Sequence, residues 1–467
     1  MKKIAVFGWA DIEKGASQGG GYNLVAQQHL LALSKLNFDT FYLQSGTFYS
    51  LSYLFGAARK PSIHFNRKWK GISSYKLLNS SNRAPALFNM NNRISQLHDN
   101  YQNNLVANWL KKHDIKSVFI HSLEGQALDL PSYLSERGFE VQIFCHDHFY
   151  ICPQVNLLYK GVGVCVDYNK GIKCEKCSPF GDCPKFERNK AADRGLLKSL
   201  KKLIKLIYRK KDNKIPPKIS PIPTNEDLIS NLINVYSESF YSRRREIAIA
   251  NLNSVKTVFA PSLFLKNILE LCGVSQKKIS YIRIGLPHLD ELKSLSPKTY
   301  TKSETIRFCF RGSDMFHKGM EFLFSAIMKI PDSLKGKCKF IIYGVKKNNP
   351  VPLEIKSNNS VILLPPYSIK GLASQIADYD IGILPHLWYE NSPLALFEHL
   401  ASGKPVLCSN IGGVVDFITE GENGWFFKAG DIGSFIEALE KIMKNKTIDN
   451  LKVLKNVPSF ESFIAKL

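Results

Sequence analysis

Short apolar segments alternate with segments of helical periodicity along most of this chain, and the alternation predicts α/β domains built on parallel sheets. The predicted strands fall into two sets. The first set comprises 3–9, 38–45, 116–122, 140–147, 257–262 and 278–285, with a helix at 23–36 after its first strand. The second set comprises 306–312, 339–345, 360–366, 380–386, 404–410 and 424–430. Two sets of parallel strands predict two domains.

A polar segment without a strand, "LPHLDELKSLSPKTYTKSET", separates the two sets. We therefore predict two Rossmann-like, doubly wound domains that face a cleft. The predicted bounds are 1–288 for the N-terminal domain with an insert at about 150–245, 289–304 for a linker, 305–450 for the C-terminal domain, and 451–467 for a helix that packs back on the N-terminal domain. Ligands of such sheets bind beyond the carboxyl ends of the strands, so the chemistry is expected in the loops there.

Length and composition describe a globular protein, because 467 residues with 44% hydrophobic residues can fill two or three cores. The apolar run after Lys2 and Lys3 is interrupted at Asp11, so it predicts a buried first strand and not a signal peptide. No stretch approaches the roughly 18 apolar residues of a membrane span. We therefore expect a cytoplasmic protein whose ten cysteines are thiols or metal ligands.

The net charge is strongly positive, because 63 lysines and arginines oppose 40 aspartates and glutamates, and such a surface favours phosphates. Much of the excess lies at 196–211, "LLKSLKKLIKLIYRKK", where leucines and isoleucines recur at helical spacing and lysines fall on the opposite face. This pattern is typical of a helix in an anionic membrane interface, and equally of a core-packed helix with a solvated basic face. The first interpretation places the protein peripherally on the inner face of the cell membrane.

Two carboxylates, Glu390 and Glu398, flank a Ser-Pro in "WYENSPLALFEHLASGKPV". Ser392 is predicted to cap, and Pro393 to start, the helix that follows. The backbone N–H groups around Leu394 then form an anion site that suits a diphosphate, with a hydroxyl-binding carboxylate on either side. Taken alone, two glutamates at this spacing are equally explained as solvated acids.

The residues around this pair, "ENSPLALFEHLASGKPVLCSNIGGVVDFITEGENGWFFKAGD", resemble the donor-binding signature of the family 4 glycosyltransferases, which adopt the GT-B fold. Other segments match in the same order: "GGGYN" after the first strand, "HD" at 146–147, "FAPS" at 259–262, "HKG" at 317–319 and "ADYDIGILP" at 377–385. The resemblance implies a retaining transfer from a nucleotide-activated sugar. The donor would be held by the C-terminal domain and the acceptor by the N-terminal domain.

Carried over residue by residue, the resemblance assigns catalytic roles to three side chains. Glu390 would contact the donor-sugar hydroxyls, Lys318 would neutralise the departing diphosphate, and His146 would lie beside the sugar. Without the resemblance, Lys318 is explained as a solvated cation and His146 as a buried histidine satisfied by Asp147. The resemblance also implies a same-face transfer in which the leaving phosphate helps to deprotonate the acceptor, so Glu390 is not assigned as a nucleophile.

Four further residues are candidates for contact with the donor. Glu398 would hold the ribose. Gly20 and Gly21 would let the backbone approach a phosphate closely, although alone they predict only a mobile turn. Many relatives carry an arginine where this chain has Ser313, so Arg311, which precedes the intervening glycine, is the candidate second cation.

No divalent metal is expected at the nucleotide site. Asp378 and Asp380 have the D-x-D spacing of metal-dependent glycosyltransferases. However, Asp380 begins a predicted strand, and this places the pair at the end of the sheet opposite to the ligand-binding loops.

Six of the ten cysteines fall between positions 145 and 183. Cys174 and Cys177 have the C-x2-C spacing of a metal knuckle, and Cys152 and Cys165 complete a set of four thiolates, with Cys183 as a possible substitute. Some family 4 members are similar here. We predict a structural, tetrahedral zinc that shapes the acceptor side, in preference to unligated thiols or an iron–sulfur cluster.

These observations predict a retaining glycosyltransferase that moves a sugar from a nucleotide-sugar donor to a saccharide or lipid-linked acceptor in the assembly of surface polysaccharide, lipopolysaccharide or another glycolipid. Two alternatives share the cleft, namely a GT-B sugar-nucleotide epimerase and a GT-B sugar-nucleotide-binding protein without catalysis. A zinc-bearing nucleic-acid binder would explain the charge. It should interleave aromatic with basic residues, whereas the basic tract carries only Tyr208, so nucleic acid is not a predicted partner.

Overall fold

A computed structural model of the chain describes residues 2–50, 60–85, 94–161, 163–168, 170–171, 173–177, 240–294, 305–346, 350–367, 369–372, 375, 378–444, 453 and 457–467. The predicted basic helix at 196–211 and Cys183 lie outside these residues. Among the described helices, none combines the length and the hydropathy that a membrane span requires.

The described strands form two large sheets and one short ribbon. Their bounds are β1 Lys3–Gly8, β2 Asp39–Phe48, β3 Ser62–Trp69, β4 Ile72–Leu78, β5 Ser117–Ile120, β6 Glu140–Phe144, β7 Leu158–Tyr159, β8 Gly163–Val164, β9 Thr257–Ala260, β10 Ile279–Tyr281, β11 Ile306–Arg311, β12 Cys338–Tyr343, β13 Val361–Leu363, β14 Ile381–Leu384, β15 Val406–Ser409 and β16 Gly424–Phe427.

Helices connect the parallel strands. Their bounds are α1 Gly21–Lys35, α2 Ile94–Leu97, α3 Asn100–Lys112, α4 Leu130–Ser135, α5 Cys174–Cys177, α6 Phe240–Ser254, α7 Leu263–Leu271, α8 Pro287–Lys293, α9 Met320–Met328, α10 Leu353–Lys356, α11 Leu394–Ala401, α12 Ile432–Lys444 and α13 Phe460–Ile464. Five short 3₁₀ turns lie at Ile12–Ser17, Gln276–Lys278, Phe316–Lys318, Ile369–Gly371 and Gly412–Phe417.

The N-terminal sheet has the strand order β10-β9-β6-β5-β1-β2-β4-β3. Its central strand β1 is flanked by parallel β2 and β5, with Val6 opposite both Tyr42 and Phe119. Only the edge strand β3 runs antiparallel, in a hairpin with β4 whose turn residues Lys70 and Gly71 both have positive φ. Two positive φ angles at a two-residue turn match the right-handed twist of the strands.

The C-terminal sheet has the strand order β13-β12-β11-β14-β15-β16, and all its strand pairs are parallel. The order reverses between β11 and β14, which is the topological switch point at which doubly wound sheets bind ligands. The loops after these two strands contain Gly312 to Lys318 and His386 to Glu390, so the topology brings both loops to one place.

The two domains share a core. Leu24 of α1, Leu289 of α8 and Phe397 of α11 belong to one cluster of buried residues. The C-terminal helix α13 lies against the N-terminal domain, where the ring centres of Phe463 and Phe144 are 6.2 Å apart. The interface is therefore hydrophobic and continuous with the domain interiors.

Every predicted strand is present, and this confirms the predicted fold class of two parallel α/β domains. The hairpin β3–β4 and the ribbon β7–β8 were not predicted. Helix α1 begins at Gly21, two residues earlier than the sequence pattern indicated.

Candidate active site

The two domains enclose a cleft of about 1010 Å³ at the carboxyl ends of both sheets. The N-terminal domain contributes the loop after β1 and the start of α1, and the C-terminal domain contributes the loops after β11 and β14. All catalytic and donor-binding residues selected from the sequence line this cleft: Glu390, Lys318, His146, Glu398, Gly20, Gly21, Arg311, Ser392, Pro393 and Leu394. The fold thus gathers residues from both halves of the chain, while their roles remain predictions.

Glu390 is the centre of a polar cluster on one wall of the cleft. Its Oε2 accepts hydrogen bonds from Lys318 Nζ and from Trp388 Nε1, the latter at 3.1 Å. His386 Nε2 lies 3.6 Å from the same oxygen. Lys318 Nζ also lies 5.0 Å from the centre of the Trp388 ring, within range of a cation–π interaction. Three neighbours therefore fix the orientation of the carboxylate.

The cluster around Glu390 is electrically balanced. Burial raises the pKa of the Glu390 carboxyl, but the Lys318 ammonium and His386 outweigh burial, and the net pKa lies below its ordinary value. Burial lowers the pKa of His386 to about 3. Burial and then Lys318 lower the pKa of His317 to about 4. At neutral pH one carboxylate and one ammonium thus face each other beside two uncharged imidazoles.

Two glycines let the loops of this cluster approach each other. Gly319 follows Lys318 with φ 80°, and a Cβ atom there would overlap the carbonyl oxygen of Pro385. Gly413 donates its N–H to the carbonyl oxygen of Glu390 at 2.7 Å, and a Cβ atom there would overlap the carbonyl oxygen of Asn391. Backbone approach of this kind requires glycine.

Glu398 is the centre of a second cluster, and it is only 2% exposed. His288 Nε2 lies 3.4 Å from its Oε1, and Arg311 Nη1 lies 3.6 Å from its Oε2. The Tyr367 hydroxyl donates to Oε2 at 3.5 Å. Burial raises the pKa of Glu398, but the nearby His288 imidazole and the charge of Arg311 outweigh burial, so the net pKa is lowered and the group is a carboxylate.

The side chain of Arg311 belongs to this second cluster. Its side chain is 0% exposed, and besides Glu398 it contacts His399 Nδ1 at 3.3 Å through Nη2. Its charge is therefore already paired within the wall. Lys346 is a more exposed cation that also lines the cleft, with Nζ 2.5 Å from Asp314 Oδ1.

Helix α11 lies between the two clusters. It begins at Leu394 with Pro393 at the N-cap position, and no side chain caps it. Ser392 Oγ is buried and has no hydrogen-bond partner among the described residues, so the predicted Ser392 cap is wrong. A Cβ atom on Gly21 would lie 3.2 Å from Leu394 Cδ1, and the first residues of α1 and α11 therefore meet across the cleft. Gly20, with φ 65°, has open space on its Cβ side.

His146, half-buried at the cleft, belongs to a chain of three histidines whose other two members, His121 and His29, are buried. Its Nε2 is 2.8 Å from His121 Nδ1, and His121 Nε2 is 2.9 Å from His29 Nδ1. Burial lowers the pKa of both His146 and His29 to about 3, and that of His121 well below its ordinary value. Asp147 is not the partner of His146, because its Oδ1 accepts the N–H of Phe149 at 2.9 Å. The partner is His121, and the chain is uncharged at neutral pH.

The strand end that carries His146 is bonded directly to the C-terminal domain. Asn391 Nδ2 donates to the carbonyl oxygen of His146 at 3.1 Å, and its Oδ1 accepts from Ser262 Oγ. His148 Nε2 lies 3.0 Å from the carbonyl oxygen of Tyr389. The segment 389–391 is therefore held by both domains.

The four cysteines predicted as zinc ligands are all described, and Cys152, Cys174 and Cys177 are buried. Burial and then Cys152 raise the pKa of Cys165 to about 12, with smaller effects from Cys174 and Cys177, so the four thiols are neighbours. In the part of the chain that the structure describes, no three His, Cys, Asp or Glu side chains are arranged to hold a metal ion. The zinc site stays a prediction.

The D-x-D pair lies away from the cleft. Arg307 holds the Asp380 carboxylate through Nη2 at 3.0 Å and Nε at 3.2 Å. This contact is at the amino end of β14, whereas Glu390 follows its carboxyl end.

Several residues of the two clusters escaped the sequence analysis: His288, His317, Lys346, Tyr367, His386 and Trp388. His386 and Trp388 could have been found, because they follow a predicted strand in the loop that contains Glu390. Tyr367 likewise follows the predicted strand 360–366. His288 gave no such signal, because its contact with Glu398 depends on how α8 packs against α11.

Two Rossmann-like domains with this topology and a shared cleft define the class of proteins with the GT-B fold of glycosyltransferases. Residues 305–445 match the family described as glycosyl transferases group 1. The sequence similarity to this family thus covers the C-terminal domain. The predicted resemblance and the predicted GT-B fold are confirmed.

Two curated relatives and one solved structure illustrate the similarity. UDP-Gal:alpha-D-GlcNAc-diphosphoundecaprenol alpha-1,3-galactosyltransferase of Escherichia coli is 36% identical over 70 residues, which is 15% of this chain and 18% of the relative. N,N'-diacetylbacillosaminyl-diphospho-undecaprenol alpha-1,3-N-acetylgalactosaminyltransferase of Campylobacter jejuni is 25% identical over 236 residues, which is 49% of this chain and 59% of the relative. The lipopolysaccharide outer core galactosyltransferase WaaB, in its apo form, matches with a TM-score of 0.55 at 13% identity, over 100% of each chain. The chain aligns with less than two thirds of either curated relative, and its likeness to WaaB is a likeness of fold.

Proposed function

We propose that the protein is a retaining glycosyltransferase that moves a sugar from a nucleotide-sugar donor to a lipid-linked saccharide in the assembly of a surface polysaccharide or glycolipid. The observation that carries the proposal is a pair of carboxylates that lie on either side of the start of α11. Glu390 is paired with Lys318, and Glu398 is paired with Arg311. The relatives' names support the ligand classes, since one names UDP-Gal and both name diphosphoundecaprenol-linked acceptors.

The donor-side roles follow from this arrangement. Glu398 accepts hydrogen bonds from the ribose, and Glu390 accepts them from the hydroxyls of the donor sugar. The diphosphate lies between them, where the uncapped N–H groups of α11 and the positive ends of two helix dipoles favour negative charge. Lys318 and Lys346 then neutralise the charge that grows on the diphosphate as its bond to the sugar breaks.

The transfer takes place on one face of the sugar. Glu390 is not the nucleophile, because its Oε2 is already engaged by Lys318, Trp388 and His386. The acceptor hydroxyl attacks the carbon that the diphosphate leaves, and its proton passes to the departing phosphate. His146, kept uncharged by burial, offers a neutral hydrogen-bonding group to the sugar.

The first test measures thermal unfolding with a panel of nucleotides and nucleotide sugars. A ligand at a hundred times its Kd stabilises the folded state by about 2.7 kcal/mol, so one nucleotide family should raise the midpoint clearly. Glu398→Gln should lose most of this stabilisation. Glu437→Gln, the same change on an exposed position of α12, should keep it. If no nucleotide shifts the wild-type midpoint, the donor site is wrong.

The second test measures transfer from the stabilising nucleotide sugar to a polyprenyl-diphosphate-linked saccharide. Glu390→Gln should lower turnover more than tenfold while the fold is retained, since it removes a charge that contacts the reacting sugar. The anomeric configuration of the product, read by NMR, tests retention, and an inverted product would exclude it.

A lipid-linked acceptor also requires access to a membrane surface. We place the protein peripherally on the inner face of the cell membrane, with the basic tract 196–211 against anionic lipid. Sedimentation with anionic vesicles, and not with neutral ones, checks this placement.

A further inference from the structure

The loop between β6 and α6 gathers four thiols that the proposed sugar transfer does not use. Cys152, Cys174 and Cys177 are buried, and Cys165 is half-buried. One short segment contacts two of them, because the carbonyl oxygen of Leu157 accepts the backbone N–H of Cys165 at 2.7 Å and that of Leu158 lies 3.7 Å from Cys177 Sγ. Four neighbouring thiols in one loop form a potential set of soft metal ligands.

N–H groups are directed at these sulfur atoms. Lys160 donates its backbone N–H to Cys177 Sγ at 3.2 Å, and Gln154 Nε2 donates to the same atom at 3.0 Å. Cys152 also receives backbone hydrogen bonds, from Leu157 and Gln154. A thiol is a weak acceptor, whereas a metal-bound thiolate carries the negative charge that such donors stabilise.

Two buried arginines of α6 face the thiols. Arg244 and Arg245 are 8% and 4% exposed, and the positive charge of each lowers the pKa of Cys152 and of Cys174. Their Nη2 atoms donate only to backbone carbonyl oxygens, and Nε and Nη1 of Arg245 have no hydrogen-bond partner among the described residues. Within the described ranges no carboxylate pairs with either arginine. Buried cations of this kind need an anionic partner.

The backbone of the same loop is strained. Val155, Leu157 and Lys160 have φ angles of 61°, 51° and 50°, in a region that side-chain-bearing residues rarely adopt, β-branched ones least of all. Such strain persists only where the surroundings determine the conformation. A chain wound tightly around an ion meets that condition.

We propose that Cys152, Cys165, Cys174 and Cys177 bind one divalent, thiolate-preferring ion of the zinc type. Binding converts four thiols to thiolates and releases their four protons to solvent. The tetrathiolate complex of a divalent ion carries two negative charges, and Arg244 and Arg245 balance them. No three of these side chains are already arranged as a ligand set in the described residues, so the proposal requires the loop to adjust around the ion.

The loop that carries the four cysteines also supports one wall of the cleft. Val164, next to Cys165, packs with Ile411 and Ala429 of the C-terminal domain and against Tyr389. Tyr389 directly precedes Glu390, and its carbonyl oxygen lies 3.0 Å from His148 Nε2. An ion that fixes the loop therefore fixes the segment that presents Glu390.

The test is the metal content of the full-length protein, purified without a metal column and measured by elemental analysis. One zinc per chain is expected for the wild type, and essentially none for Cys174→Ala/Cys177→Ala. The matched control is Cys338→Ala/Cys408→Ala, which removes two buried thiols of the C-terminal domain and should keep the ion. Should the first variant not fold, titration of the wild type with an organomercurial should release one zinc, detected with a chromogenic chelator.

Two results would overturn the proposal. One is a wild-type protein that holds no metal after incubation with zinc and gel filtration, and that gives no thiolate charge-transfer band with Co²⁺. The other concerns only the support that the loop gives to the cleft. Metal release should reduce the thermal stabilisation by the nucleotide sugar more than the stabilisation by the nucleotide. Equal reductions would show that the ion does not support the segment that presents Glu390. Metal content is independent of turnover, so failure here leaves the proposed transfer untouched.

Discussion

Trp388 decides how Glu390 presents its carboxylate. The ion pair with Lys318 keeps Glu390 ionised, because the ammonium outweighs the effect of burial on the pKa of this carboxyl. The indole N–H of Trp388 adds a directed hydrogen bond at 3.1 Å to the same oxygen. Its ring also packs against His317, with ring centres 4.5 Å apart. The indole therefore adds direction to a carboxylate that the charge pair keeps ionised.

Trp388→Phe separates these contributions, because it keeps an aromatic ring near Lys318 and removes only the N–H. A hydrogen bond to a charged group is worth about 1.5–3 kcal/mol, so turnover should fall roughly tenfold to a hundredfold. Thermal stabilisation by the nucleotide should not change, while the additional stabilisation by the nucleotide sugar should shrink. The control is Trp69→Phe on the edge strand β3, and equal behaviour of the two variants would contradict this role of Trp388.

Residues of the site could be predicted where a local pattern placed them. Glu390 follows an apolar strand and Glu398 lies in the helix after a Ser-Pro, so both were expected at the carboxyl edge of the sheet. Arg311 was expected to face the diphosphate, but it lies at the end of β11 with its side chain buried against Glu398. His121 and His29 form a chain with His146 only because β5, β6 and α1 pack together, and no spacing in the sequence shows this.

At the scale of elements, the turn Phe316–Lys318 depends on Gly319. This glycine ends the turn in the left-handed region and starts α9, while Leu387 donates its N–H to the carbonyl oxygen of His317 at 2.9 Å. The turn is thereby held against the loop that carries Glu390. Displacing Gly319 would displace Lys318 as well.

Gly319→Ala should therefore be more harmful than an ordinary substitution in a turn. The φ of 80° costs about 1–2 kcal/mol for an L-residue, and the overlap with Pro385 adds about 1–3 kcal/mol. The matched control is Gly336→Ala, where φ is 77° and nothing lies within 4 Å of the new Cβ atom. Urea unfolding measures the free energy of unfolding of both variants. Equal losses would contradict the close approach of Gly319 to Pro385.

Elements could be predicted where they are buried on both faces. Strands of parallel sheets form continuous apolar runs, and most of the predicted strands are of this kind, while β10 and β13 are short edge strands that are only partly buried. The edge strand β3, "SIHFNRKW", exposes His64, Phe65 and Lys68 and has no continuous apolar run, so it was missed. Its only signal was the Lys70-Gly71 pair that forms the hairpin turn.

At the scale of the whole molecule, the two domains are joined by more than a linker. Helix α8 packs against α11, and Asp290 of α8 accepts the N–H of Phe460 at 2.9 Å through its Oδ2. Gln142 Nε2 donates to the carbonyl oxygen of Leu467 at 3.5 Å. The C-terminal segment thus fastens the end of the second domain to the first, and buried groups of both domains should respond together to solvent conditions.

Buried histidines of both domains make stability depend on pH. Burial lowers the pKa of His29, His146 and His386 to about 3, whereas in the unfolded chain these groups titrate near their ordinary pKa of 6.5. Between these values the unfolded state binds more protons, so the free energy of unfolding falls as the pH falls below about 6.5. Asp147 acts oppositely between its ordinary pKa of 3.8 and the value of about 6 to which burial raises it, and it offsets about one histidine.

The wild-type protein should therefore unfold at a clearly lower temperature at pH 5 than at pH 7. Each buried histidine contributes about 1.4 kcal/mol per pH unit in this window, because one proton binds on unfolding. The double variant His29→Gln/His386→Gln removes one such group from each domain. It should reduce the number of protons taken up on unfolding by about two, and the free energy of unfolding should then depend less on pH. The control is His64→Gln, an exposed histidine on β3, which should leave the slope as it is. A midpoint that stays constant or rises from pH 7 to pH 5 would show that the buried histidines accept protons in the folded state, and the neutral histidine chain beside the cleft would then be wrong.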